Sequence, residues 1–187
     1  DGADALRRAR CIRAAARGAP RRRRVNSTYY DTRKHRLREA GCALRVRADG
    51  DRIEQTLKFA TAGPAGMQNC EEWTVALATE KPDMAAFDER VLRRLRHGGR
   101  NLTLHPLFTT EIERRSQQLQ RGETRFEMAV DRGRIRAHAG TGGVLPVSEV
   151  EFELLDGTPL PMFDFLLELI GEVDLKPLVP SKAQRGY

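Results

Sequence analysis

Residues 148–154 read Ser-Glu-Val-Glu-Phe-Glu-Leu. In an extended chain this alternation puts Glu149, Glu151 and Glu153 on one side and Val150, Phe152 and Leu154 on the other. The same division recurs elsewhere. CALRVRAD (42–49) sets Arg45 and Arg47 against Leu44 and Val46, and EQTLKF (54–59) sets Glu54, Thr56 and Lys58 against Leu57 and Phe59. RFEMAVD (125–131) sets Arg125, Glu127 and Asp131 against Phe126, Met128 and Val130. An antiparallel sheet with one packed and one wetted face produces this pattern without any function. Three carboxylates in a row are a sharper feature. At about 7 Å spacing they repel by roughly 2 kcal/mol at an effective dielectric near 20, and by a fraction of that in water. If the sheet closes with its charged faces inward, rows of cations and a row of carboxylates share one interior. Such a lining suits a polyanion accompanied by a divalent metal.

Working outward, the strand-like segments fall at 25–31, 42–49, 52–60, 68–77 and in three or four further stretches between 104 and 157, giving about seven or eight strands. ADGDR (48–52) is a Gly-centred connection and predicts a hairpin. TAGPAG (61–66) is a loop, and Asp131-Arg132-Gly133 reads as a tight turn inside the strand region 124–138. Helices are predicted over 3–17, ended by Gly18 and Pro20, and over 82–99, ended by Gly98 and Gly99. A third runs from about Pro159 to Gly171, with a core stripe of Met162, Phe163, Leu166, Leu167 and Ile170, and a short turn starts at Ser181. The expected fold class is α+β, a closed antiparallel eight-stranded barrel with helices packed outside.

The 187 residues suffice for one domain, and no apolar run reaches the roughly 20 residues of a membrane helix. The charged opening lacks a signal-peptide core, and Cys11, Cys42 and Cys70 have neither disulfide-framework nor zinc spacing, so the reading is a cytoplasmic protein with reduced thiols. Residues 1–38 carry net +10, while the remaining 149 residues sum to −3. The run Arg21–Arg24 is therefore read as a solvated strand entrance, and the balanced body argues against a nucleic-acid face. His35, His97, His105 and His138 have no ligand spacing, and neither a P-loop nor a Gly-x-Ser-x-Gly elbow is present.

The segments YYDT (29–32), LREAGCALRVR (37–47), QTLK (55–58), EEW (71–73), PLFTTEIERR (106–115), FEMAVDRGRI (126–135), SEVEFEL (148–154) and SKAQRGY (181–187) are colinear with, and together resemble, the CYTH domain of the triphosphate tunnel metalloenzymes. The bacterial inorganic triphosphatase branch is the nearest in pattern. The resemblance implies an eight-stranded tunnel and metal-dependent hydrolysis of inorganic triphosphate, with polyphosphate as a related substrate. It implies phosphate-gripping roles for Arg45, Arg47, Lys58, Arg114, Lys182 and Arg185, with Arg115 in place of Arg114 if the strand register slips by one. Glu149, Glu151 and Glu153 would hold Mg²⁺ or Mn²⁺, and Glu72 and Glu127 occupy acidic positions with catalytic roles.

Two departures accompany the resemblance. The family's opening strand, Glu-x-Glu-x-Lys, has no counterpart before the first helix, so residues 1–187 are expected to be one tunnel domain lacking that strand; a helical CHAD domain commonly follows in the parent architecture. Thr74 stands where a second Glu usually follows the Trp. The rival readings are a non-catalytic polyphosphate- or nucleotide-binding module, which the missing strand favours, and an adenylate cyclase of the same superfamily. The sequence leaves the oligomeric state, including a homodimer, open.

Overall fold

The computed structural model describes residues 2–50, 52–61, 69–95, 101–138, 143–178 and 180–187. Seven strands form one sheet: β1 (Ala16–Asp31), β2 (Cys42–Asp49), β3 (Arg52–Thr61), β4 (Asn69–Leu77), β5 (His105–Arg121), β6 (Thr124–Ala137) and β7 (Val144–Asp156). Their order is β4-β3-β2-β1-β5-β6-β7. The helices are α1 (Gly2–Arg8), α2 (Arg10–Ala15), α3 (Arg36–Glu39), α4 (Glu89–Leu92), α5 (Pro159–Glu172) and α6 (Lys182–Gly186), with a 3₁₀ turn at Met84–Ala86. The α+β class and the 42–61 hairpin match expectation. Closure into eight strands does not: among the described residues the sheet has seven strands, with β4 and β7 at its two edges. The strand count stays at seven because β6 continues unbroken through Asp131-Arg132-Gly133. The reversal lies instead between β5 and β6, where Gly122 takes the left-handed φ of 59° that a two-residue turn requires.

Two helix expectations are also corrected. The expected helix over 3–17 breaks at Ala9, whose ψ is 130°, and gives way to β1 at Ala16, nine residues before Val25. The Arg17 guanidinium donates to the carbonyls of Ala14, Ala15 and Ala16 and so satisfies the helix end there. Over 82–95 the expected long helix is a 3₁₀ turn and one short helix, because Asp83 accepts from the Ala85 N–H and Asp88 from the Arg90 N–H, each starting its own turn. The predicted loop at 62–66, the Gly98–Gly99 stop and His97 lie outside the described residues.

Contacts divide the chain into two units: residues 1–24, 113–133 and 147–177, and residues 25–112, 134–146 and 178–187. In the first, Met162, Phe165 and Leu169 of α5 close over Phe126 and Met128 of β6 and over Cys11 and Ile12 of α2. The Phe126 and Phe165 rings meet at 5.0 Å. In the second, Leu44 of β2 and Leu57 and Phe59 of β3 pack under Leu37 of α3, Met84, Phe87 and Val91. The α5 stripe thus differs from the one expected: Phe165 is 0% exposed, whereas Leu167 is 70% exposed and Ile170 50%. No described helix is long and apolar enough to cross a membrane. The three cysteines are free; burial and the nearby charge of Asp31 push the Cys42 thiol up to about 12.

The corrected stripe yields a contrast. Phe165→Ala should cost about 3–5 kcal/mol, as for a filled core position, while Leu167→Ala should stay within about 0.5 kcal/mol of wild type. Urea unfolding of the two variants measures both values.

Candidate functional site

In the 25–112 unit the sheet register assembles a cationic face. β2 and β3 pair with Arg45 opposite Thr56 and Arg47 opposite Glu54, and β3 and β4 pair with Lys58 opposite Glu72 and Thr56 opposite Thr74. Arg45, Arg47, Lys58, Glu72 and Thr74 therefore share the side of the sheet opposite Leu44, Leu57 and their covering helices. Lys58 Nζ donates to Glu72 Oε1 at 2.6 Å, and Arg45 Nη2 lies 3.9 Å from Glu72 Oε2. Arg47 Nε donates to Ser27 Oγ at 3.2 Å across the β1–β2 pair. Among the described residues the buried Nε of Arg45 has no hydrogen-bond partner. Thr74 and Thr56 join their hydroxyls at 3.0 Å.

Burial raises the pKa of Glu72, but the Lys58 hydrogen bond and the charges of Lys58, Arg45 and Arg47 outweigh it and hold the carboxyl below its ordinary range. For Lys58, burial acts to lower the value, and the bond and charge of Glu72 reverse that into a net rise. Both groups are consequently ionised at neutral pH. Lys182 and Arg185 belong to the same unit, on α6, half-buried.

The 113–133 and 147–177 unit carries the acidic group. Arg114 grips Asp131 as a fork, Nε to Oδ1 and Nη2 to Oδ2 both at 2.7 Å, and Nη2 also reaches Glu151 Oε2 at 2.6 Å. Asp131 is fully buried. Burial works against the charge of Arg114, and the bond and charge of Asp131, with Glu151 behind, more than restore it, so its pKa is raised. Asp131, Glu149 and Glu151 each offer a carboxylate oxygen within 4.8 Å of the others. Three hard oxygen donors at that spacing fit a divalent cation, with the Arg114 guanidinium already balancing part of their charge. Glu153, expected beside Glu149 and Glu151, is exposed and is not one of the three. Asp131 takes that place and was not singled out by sequence reasoning. Its signal lay in alternation along β6, but the pairing of β6 with β7 cannot be read from either strand alone.

Of the two register options on β5, Arg114 makes the ion pairs. Arg114 and Arg115 both line a cavity of about 550 Å³ with Arg13, Arg22, Arg23, Arg24 and Arg132; the Arg21–Arg24 run lies within β1, and Arg22 to Arg24 contribute to that wall. Glu127 is half-buried on the Asp131 side of β6.

With this geometry in hand, comparison with known proteins is direct: the CYTH domain profile matches residues 3–187. The chain belongs to the CYTH family. Over 163 residues it is 31% identical to an inorganic triphosphatase of Haemophilus influenzae, covering 87% of this chain and 45% of that protein, so the chain spans about half the relative's length. Among solved CYTH-like folds, HpAC1 from Hippeastrum superposes with a TM-score of 0.66 at 14% identity, covering 97% of this chain and 88% of that one. HpAC1 is described as a candidate adenylyl cyclase with a dominant triphosphatase activity. A candidate adenylate cyclase of Bacillus halodurans gives 0.57 at 16% identity, covering 88% and 82%. At these identities the two structures establish the fold alone.

Two outcomes follow from the CYTH site geometry. Asp131→Ala leaves the Arg114 guanidinium without its buried partner and should cost about 3–5 kcal/mol in urea unfolding. For Glu72, whose folded pKa is depressed, the stability gap between wild type and Glu72→Gln should be fully present above the ordinary value of 4.5 and should close as pH falls through the lowered folded value. Solvent screening of this 39% exposed side chain limits the gap to about 1 kcal/mol, read from unfolding curves across pH.

Proposed function

We propose that this CYTH chain hydrolyses inorganic triphosphate to pyrophosphate and phosphate in a metal-dependent reaction. The observation that carries the reading is the cationic face of β2 and β3, where Arg45, Arg47 and Lys58 stand together and a buried guanidinium nitrogen of Arg45 has no acceptor among the described residues. An anionic oxygen is the acceptor such a donor calls for. The family membership and the triphosphatase relative support the same substrate class.

Phosphoryl transfer asks a protein chiefly for positioning and charge neutralisation. Glu72 holds Lys58 and Arg45 in place while consuming only part of their donor capacity: Lys58 keeps two N–H groups beyond its Glu72 bond, and Arg45 keeps its Nε. Those donors, with Arg47, bind the non-bridging oxygens and fix the phosphate chain. Lys182 and Arg185 of α6, in the same unit, extend the cationic set. Water adds its oxygen to a terminal phosphorus and gives up a proton to solvent, the phosphoanhydride bond breaks, and pyrophosphate leaves with the bonding pair and is stabilised by the same cations. Asp131, Glu149 and Glu151 would hold Mg²⁺ or Mn²⁺, which when bound supplies further charge neutralisation at phosphate oxygens. Glu127 and Glu153 complete the acidic lining as the outer members of it.

In the full-length protein, Glu151→Gln and Arg47→Ala should each lower metal-dependent phosphate release from tripolyphosphate by at least about 10²-fold, the usual cost of a lost transition-state charge contact. Activity within a few-fold of wild type in both variants refutes the assignment. Cyclic AMP formation from ATP, followed in parallel, should remain negligible beside phosphate release; the opposite ranking makes the chain a cyclase.

A further inference from the structure

Lys182 and Arg185 stand on α6, a helix of five residues. So short a helix has no stability of its own, and its two cations occupy fixed positions only if something outside holds it. A capping box closes the turn locally, Ser181 Oγ accepting from the Gln184 N–H and Gln184 Oε1 accepting from the Ser181 N–H, but ties it to nothing else. The tie is Tyr187. Its hydroxyl donates to Asp31 Oδ2 at 2.9 Å, its ring meets Phe108 edge-on at 5.8 Å, and the Arg38 guanidinium lies 5.1 Å from the ring centre.

Asp31 cannot swing away from this contact. It is fully buried, its Oδ1 accepts from the N–H groups of Thr32 and Leu37, and its Oδ2 accepts from that of Arg38. Burial first, and then the charge and hydrogen bond of Asp31, raise the Tyr187 pKa, so the phenol remains a donor. Gly186 completes the fit: a Cβ there would run into the ring of Phe108, which is 0% exposed and has nowhere to go. Tyr29, the β1 neighbour of Arg45, stacks on that same Phe108 ring at 4.6 Å. The docked segment therefore sits on the face of β1 and β2 that bears Arg45 and Arg47.

We infer that Asp31 and Tyr187 are positioning residues, a carboxylate–phenol latch that sets Lys182 and Arg185 on the phosphate-binding face and thereby sets affinity for the phosphate chain. The inference rests on the reading of those two cations as phosphate ligands.

The test uses Tyr187→Phe and Gly186→Ala in the full-length protein, with tripolyphosphate as probe. Each should weaken tripolyphosphate binding, measured by calorimetry, about tenfold, the order expected for one hydrogen bond to a charged group, and leave kcat within about threefold. Hydrogen exchange should rise in residues 181–187 and not elsewhere. In a Lys182→Ala/Arg185→Ala background, Tyr187→Phe should have no further effect on binding, since it acts only through those side chains. Binding within twofold of wild type despite faster exchange at 181–187 overturns the latch, and so does an undiminished tenfold penalty in the double-variant background. If Lys182→Ala/Arg185→Ala itself leaves binding unchanged, the phosphate role of α6 falls and the latch with it. Failure of Tyr187→Phe alone leaves that role standing.

Discussion

Helices covering one side of β2, β3 and β6 leave the ionic side chains of those strands no place except the other side. In the unit containing β2 and β3, Leu44 and Leu57 are 0% exposed beneath α3, α4 and the 3₁₀ turn. Alternation then forces Arg45, Arg47 and Lys58 together, whatever they cost one another in repulsion. The burial term is the larger one. Each fully covered Leu contributes about 1.5–3 kcal/mol and several are covered together, whereas a like-charge pair at this spacing costs roughly 2 kcal/mol or less. Hydrophobic packing thus concentrates cations on one face, where Glu72 beside Lys58 and Arg45, and Glu54 opposite Arg47, make the arrangement tolerable.

The unit containing residues 113–133 and 147–177 solves the same problem with the opposite sign. Its carboxylates converge from β6 and β7, and Arg114 of β5 supplies the compensating charge through a fork onto Asp131. Removing water from that pair is costly, and bidentate geometry is what returns the loss. A lysine at position 114 could neutralise the charge but could not occupy both oxygens of Asp131 while reaching Glu151. The identity of the cation matters there more than its sign.

Alternation along single strands was legible from the residues, which is why Arg45, Arg47, Lys58 and the Glu149/Glu151 pair could be named beforehand, whereas Glu72 was named only through the family resemblance. What escaped depends on neighbours. Asp131 joins the acidic group only through the placement of β6 beside β7. Asp131-Arg132-Gly133 has turn chemistry, yet the 17-residue β5 beside it offers a long partner, and continuing the ladder outweighs a local preference for a bend. On α5 the residues Met162, Phe165 and Leu169 compete with Leu160, Phe163, Leu167 and Ile170, both sets spaced by three and four, so periodicity alone could not say which stripe is covered.

Thr74 shows how a local departure feeds back on the same face. A carboxylate at that position would stand beside Glu72 and across from Thr56, giving Lys58 and Arg45 a second counter-ion. Thr74 instead spends its hydroxyl on Thr56, a neutral bond that leaves the cations with Glu72 as their anionic neighbour on β4. The centre of that face therefore carries Arg45, Arg47 and Lys58 against Glu54 and Glu72, and a glutamate at position 74 would cancel the excess of positive charge that the threonine leaves standing.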